Sequence, residues 1–287
     1  MKKIKFILLC LFFLISFYIT GSKILNMDLI NYIIFNDEQI SSIKYNNMLK
    51  QISKDIVKNS IKDSFLLDNK TNNDSSFTFI NLIKKDEPKV YIYNTHDEEN
   101  YSNEGFEIYN ITPTVKLASY MLQDELNNLG INTIVEERPV IKQLKKQNLP
   151  YNYSYDISNK YCKEIKEKYP SIIYFIDLHR DGIDKELSTI TINNKSYAKM
   201  MFLLGMNHNN ANKNLEVVTK LNNYLNKNYQ GLMRNIYKRN DLTYYQELSS
   251  HNFIIEIGGQ DNTYTEVYNS VKAFAMAIYN DLEGESE

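Results

Sequence analysis

Ile172–Asp181 reads IIYFIDLHRD. Its first seven residues form a nearly continuous apolar run broken only by Asp177. That is the pattern of a strand covered on both faces, as in a parallel sheet flanked by helices. Its tail carries Asp177, His179, Arg180 and Asp181, residue types that bind metals or move protons. The same design recurs twice. VYIYNTHDEENY (Val90–Tyr101) is a short β-rich run followed by His96 and Glu99, and FIIEIGG (Phe253–Gly259) is an apolar strand carrying Glu256 and closed by two glycines.

Around these runs, strand and helix patterns alternate. Pro113–Leu129 has helical periodicity and meets Gly130, a natural C-cap. Ile131–Val135 reads as a strand, and Asp156–Lys168 as a helix stopped before Pro170. Thr189–Asn193 and Lys199–Leu204 read as a hairpin or edge pair around Asn194. Leu215–Tyr229 and Tyr264–Leu282 read as helices. The alternation predicts an α/β domain over residues 88–287, with a mostly parallel sheet flanked by helices.

Upstream the pattern changes. The chain opens MKKIKFILLCLFFLISFYITGSK, with Lys2, Lys3 and Lys5 before an uncharged run from Phe6 to Thr20. Basic residues stay on the cytoplasmic side, so the chain beyond the run is expected outside. The run is short for a spanning helix of about 20 residues, and no A-x-A cleavage pattern accompanies it. We read residues 1–22 as an uncleaved membrane anchor, with a cleaved signal segment as the alternative. Residues 23–87 read as a helical stalk, with Ile40, Ile43, Met48, Ile52, Ile56 and Ile61 along one face, then a polar linker, DNKTNNDSS (Asp68–Ser76).

Composition narrows the chemistry. The 287 residues are 43% hydrophobic and 24% charged, a globular mixture. The 33 basic against 35 acidic residues leave none of the basic surplus that nucleic-acid binding needs. There are two cysteines, and Cys10 lies in the leader. Cys162 alone can form neither an internal disulfide nor a cysteine zinc cluster. Any metal site therefore draws on four histidines, His96, His179, His208 and His251, and on carboxylates.

In open α/β sheets, ligands sit at the carboxyl ends of the strands. A zinc hydrolase needs three protein ligands, an open position for water and a nearby base. His96, Glu99 and His179 can supply the ligands and Glu256 the base, whose proton affinity burial in an apolar strand would raise. Glu98, Glu104 and Glu107 crowd the same loop, and Glu107 is the second choice of carboxylate. His208, in LLGMNHNN, reads either as a substrate or oxyanion contact or as a solvated turn residue; His251 reads as structural. Asp177 is placed to orient an adjacent ring. Arg180 and Asp181 read either as a mutual pair or, for Arg180, as a substrate contact.

At these residues the sequence resembles the stage II sporulation protein P family over Lys89–Ile278. The motifs stand in the family's order: IYNTHDEENY, YNYSYDIS (Tyr151–Ser158), YPSIIYFIDLHRDGI (Tyr169–Ile183), AKMMFLLGMNHNNANKNL (Ala198–Leu215) and YYQELSSHNFIIEIGGQDNTYTEVYNS (Tyr244–Ser270). The resemblance implies an amidase-like fold and a membrane-anchored zinc amidase. Such an enzyme cuts the bond between N-acetylmuramic acid and L-alanine in peptidoglycan, and the family is also credited with cleaving cross-links. It implies action outside the cell membrane during sporulation engulfment, with stage II sporulation proteins D and M. Matched by motif, His96, Glu99 and His179 become the metal set and Glu256 the catalytic carboxylate; beside them we read Arg180 and His208 as the substrate contacts. The family usually has His-Thr-His where this chain has Asn94-Thr95-His96, and His-Pro-Asn where it has His208-Asn209-Asn210. Two rival readings are a carboxypeptidase-like zinc peptidase of wall stem peptides and a non-catalytic, membrane-anchored wall-binding scaffold.

Overall fold

The computed structural model describes residues 87–105 and 112–284, which fall within the unit Lys85–Glu287. The expected anchor, stalk and linker lie outside the described residues, as does Glu107. Among the described residues no helix is long and apolar enough to cross a membrane.

The first half of the domain contains β1 (Val90–Tyr93), α1 (Val115–Asn128), β2 (Thr133–Val135), α2 (Val140–Gln147), α3 (Ser154–Lys168) and β3 (Tyr174–Asp181). The second half contains α4 (Lys185–Ser188), β4 (Thr189–Ile192), β5 (Lys195–Ala198), β6 (Met200–Gly205), α5 (Ala211–Asn228), β7 (Tyr237–Arg239), β8 (His251–Gly259) and α6 (Tyr264–Gly284). Six strands form one sheet in the order β2-β1-β3-β8-β6-β7. All its pairings are parallel except β6 with β8.

The long apolar runs sit where their composition requires. All four residues of β1 are buried, as are the first six of β3. On one face, Tyr91, Tyr93 and Phe175 pack with Cys162 of α3. On the other, Phe253 meets Phe202 and Phe274 of α6 edge to face, at 5.2 and 6.3 Å between ring centroids. From β1 the chain moves outward to β2, and from β3 it moves the other way to β6. The carboxyl ends of β1 and β3 thus flank a topological switch point, where such sheets leave a crevice.

Two expectations are corrected. The hairpin joins Thr189–Ile192 to Lys195–Ala198, because Asn193 and Asn194 both take left-handed conformations (φ 49° and 61°) and make a two-residue turn. That turn starts the second arm at Lys195. Met200–Gly205 is then free to join the main sheet antiparallel to β8. The helix α2 and the strand β7 are additions to the pattern read from sequence. In α2 only Val140 and Leu144 are buried, too few for a clear period, and β7 is a three-residue strand at the sheet edge.

At the end of β8, Gly258 has φ +74°, and a Cβ there would lie 2.6 Å from Asn262 Oδ1. That oxygen accepts the Gly259 N–H at 2.7 Å, which fixes the strand's exit.

Just past β2, Glu136 binds β1 and α3 together. Its carboxylate accepts the Tyr91 hydroxyl at 2.5 Å and three Arg138 N–H groups at 2.8–2.9 Å. Arg138 reaches on to Glu164 and lies 3.9 Å over the Tyr161 ring. Burial alone would raise the Glu136 carboxyl, but Arg138 and Tyr91 outweigh it and hold it below its ordinary value. A depressed carboxyl contributes stability above its unfolded pKa and loses it as pH falls through the folded one. Glu136→Gln should therefore cost about 1–3 kcal/mol at pH 7, a loss that shrinks in acid. Urea unfolding at pH 7 and about pH 3.5 measures both, and an equal loss at the two would contradict the charge-based account.

Candidate metal centre

β1 ends at Tyr93, and the chain turns at once. The Glu99 N–H donates to the His96 carbonyl at 3.1 Å, so these two side chains, three residues apart, emerge on the same side. Asn94 and Thr95 anchor the turn from below. The Asn94 amide donates to the Leu178 carbonyl at 2.6 Å and accepts the Ser119 hydroxyl at 3.0 Å. Thr95 gives both its N–H (2.9 Å) and its hydroxyl (2.6 Å) to the Asp177 carboxylate.

His179 arrives from β3, which its apolar run holds rigid. Its Nε2 lies 2.9 Å from Asp177 Oδ1 and its Nδ1 3.3 Å from Glu99 Oε2. Glu99 Oε1 lies 3.3 Å from His96 Nδ1, and Glu99 Oε2 accepts the Arg180 N–H at 3.0 Å. The donor atoms of His96, Glu99 and His179 all lie within 4.8 Å of one another.

This donor set fits zinc. Bonds of about 2.0–2.1 Å in a tetrahedron put neighbouring ligand atoms about 3.3 Å apart, and Glu99 Oε1 lies 3.3 Å from His96 Nδ1 and 3.5 Å from His179 Nδ1. Asp177 Oδ1 stands 2.9 Å from the far nitrogen of His179, where the outer partner of a ligating ring would stand. Burial alone would lower the His179 pKa, but Asp177 and Glu99 outweigh it and push it well up. Burial would likewise raise Glu99, yet the two imidazoles and the Arg180 N–H hold it well below the usual carboxylate range. Two carboxylates bracketing one imidazole favour positive charge between them, which a protonated ring or a divalent metal in the proton's place would supply.

Glu256 is the register partner of His179 across β3 and β8, so both side chains share a face. Burial, with Glu99, Asp181 and Asp177 adding to it against His179, pushes its carboxyl up to about 7. Its Oε2 is buried and has no hydrogen-bond partner among the described residues. Tyr101, whose hydroxyl donates to the Ile257 carbonyl at 2.9 Å, ties the β1 loop to β8 beside it.

The stage II sporulation protein P family profile matches residues 19–279. The chain belongs to the stage II sporulation protein P family. The stage II sporulation protein P of Bacillus subtilis is 28% identical over 222 residues, covering 71% of this chain. The match takes in 55% of that relative, so the chain spans about half the length of the curated relative it matches. Among solved structures, the N-acetylmuramoyl-L-alanine amidase AmiC2 of Nostoc punctiforme is similar with a TM-score of 0.43 and 9% identity, over 68% of this chain and 97% of its own. The CwlD amidase of Clostridioides difficile, solved with the GerS lipoprotein, has a TM-score of 0.42 and 12% identity, over 68% of this chain and 99% of its own.

In this member of the family the structure brings His96, Glu99, His179 and Glu256 together, with Arg180 beside them. It does not bring His208. β6 runs antiparallel to β8, with Met201 level with Glu256 and Leu203 with Ile254. His208 lies beyond its far end, roughly 13 Å or more from Glu256 at about 3.3 Å per residue. Asn94 faces Leu178 and Ser119 and is spent on joining β1 to β3 and α1. Arg180 and Asp181 do not pair through their side chains. Arg180 Nε donates to the Asn100 carbonyl at 2.9 Å, and Asp181 is held by Arg234 at 2.6 Å.

Tyr151 and Tyr155 stand against the His96 ring at 5.1 and 5.5 Å between centroids. Both fall in the motif YNYSYDIS, from which no site role was read.

Asp177→Asn removes the anion facing His179 Nε2 but keeps an oxygen for Thr95. It should weaken zinc binding roughly 10–100-fold, read by competition with a chelator. Unchanged affinity in a folded variant would mean that Asp177 does not act on His179.

Proposed function

We propose that this chain is a zinc-dependent peptidoglycan hydrolase that cleaves the amide between N-acetylmuramic acid and L-alanine. The observation that carries the reading is the pairing of His179 with Glu256 in one register, beside a second imidazole and a carboxylate at ligand spacing. Zinc held by His96, Glu99 and His179 would supply Lewis-acid activation of a water molecule and of the scissile carbonyl.

The protein's own groups do the rest. Glu256 accepts a proton from the attacking water and returns it to the departing L-alanine amine. Its carboxyl, raised to about 7 by burial, suits both directions of that transfer near neutral pH. Asp177 and Thr95 hold His179 and the β1 turn in place. Arg180 offers a guanidinium to the substrate's carbonyl oxygen as charge develops there.

Family membership supports a role in sporulation. The basic, then apolar leader supports anchoring by one span, with the domain outside the cell membrane. Peptidoglycan is then the substrate in reach, and stage II sporulation proteins D and M are the partners we propose.

Wall digested with the full-length chain and zinc, then analysed by mass spectrometry, tests the reaction. We expect peptide-free glycan and new L-alanine amino termini. Glu256→Gln should keep its zinc and lose about 10²–10⁴-fold in rate. Split cross-links without free glycan would move the assignment to an endopeptidase. Released terminal amino acids would move it to a carboxypeptidase-like enzyme.

A further inference from the structure

Beside His96 the chain builds a row of aromatic rings that the mechanism does not use. Tyr151 stacks on His96 at 5.1 Å and 25° between planes, and is 55% exposed. Tyr155 meets the same imidazole edge on at 5.5 Å, and Tyr244 meets Tyr155 at 5.3 Å.

Both ends of the row are held. Tyr151 follows Pro150 in a 3₁₀ turn (Tyr151–Tyr153) whose last N–H donates to the Pro150 carbonyl at 3.1 Å. The Ser154 hydroxyl binds the Tyr151 carbonyl at 2.5 Å. At the other end, Tyr244 and Tyr245 both take left-handed conformations (φ 50° and 56°), which bulky side chains rarely adopt. The Tyr245 hydroxyl on Asp156 (2.6 Å) and the Asn252 amide on the Tyr245 carbonyl (3.2 Å) hold that bend. Backbone strain kept in place beside a candidate active site points to use.

The open face of the Tyr151 ring narrows the occupant to a partner with an apolar face. The apolar C–H face of a pyranose matches the negative face of a tyrosine ring.

We propose that Tyr151, Tyr155 and Tyr244 form a glycan-binding wall that stacks a sugar ring of the peptidoglycan strand beside the metal group. The wall sets which side of the metal takes glycan and leaves the other for peptide. This deepens the hydrolase reading and rests on it.

The test uses the full-length chain, its Tyr151→Ala and Tyr151→Phe variants, and a peptide-free N-acetylglucosamine tetrasaccharide as probe. Calorimetry reads the tetrasaccharide Kd, and wall digestion reads KM and kcat. Tyr151→Ala should weaken tetrasaccharide binding and raise KM, each roughly three- to tenfold. Its kcat and zinc content should stay near those of the wild type, and Tyr151→Phe should restore both losses. Unchanged Kd and KM in Tyr151→Ala would overturn the wall, as would loss of zinc, which would make the ring a mere support for His96. If the wild type digests no wall, the hydrolase reading fails. The tetrasaccharide comparison then still decides whether the rings bind sugar.

Discussion

The parallel register of β3 on β8 places His179 opposite Glu256 and Asp177 opposite Ile254. Side chains on a strand alternate, so a slip of one residue would turn Glu256 to the opposite face, under α6. Buried polar contacts fix the register at the other end of β8. Asn252 is 1% exposed. Its side-chain oxygen accepts the Tyr93 hydroxyl at 3.2 Å, and its backbone carbonyl accepts the Asn214 amide at 2.5 Å. The Ser249 hydroxyl donates to the Ile173 carbonyl at 3.1 Å. A slip would leave these groups buried without partners, at roughly 1–3 kcal/mol each.

Given that register, the electrostatics follow. Asp177 and Glu99 flank the buried His179 imidazole, Glu256 is its register partner, and Asp181 is paired with Arg234. The surplus of negative charge suits a divalent ion. It also drives the two carboxyls apart. Glu99, held by imidazoles and the Arg180 N–H, is kept ionised, the form a metal ligand would need. Glu256, buried, gains proton affinity, as the proposed base would need.

The layout of the sheet was legible in IIYFIDL and FIIEI, because a strand buried on both faces has to be apolar throughout, and in the polar residues at their carboxyl ends. His96, Glu99, His179 and Glu256 were legible for the same reason: sheets of this class put their ligands at those ends. The spacing His96-x-x-Glu99 also matches a turn in which residues three apart face one way. The place of His208 was open between two readings, because apolar alternation in MMFLLG shows a strand but not its direction. The side-chain destinations of Asn94 and Asp181 depend on Leu178, Ser119 and Arg234, distant partners that no local pattern reveals. The tyrosine row lies within two quoted motifs, but its meeting at His96 depends on contacts between distant segments, and the bend at Tyr244 and Tyr245 carries neither glycine nor asparagine to announce it.

The account turns on the ligand set, and X-ray absorption spectroscopy of the zinc-loaded full-length chain reads it directly. It predicts four light-atom neighbours at about 2.0–2.1 Å, with the outer-shell signature of two imidazoles, reduced to one in His179→Ala. A sulfur neighbour near 2.3 Å, or a spectrum unchanged by His179→Ala, would contradict it.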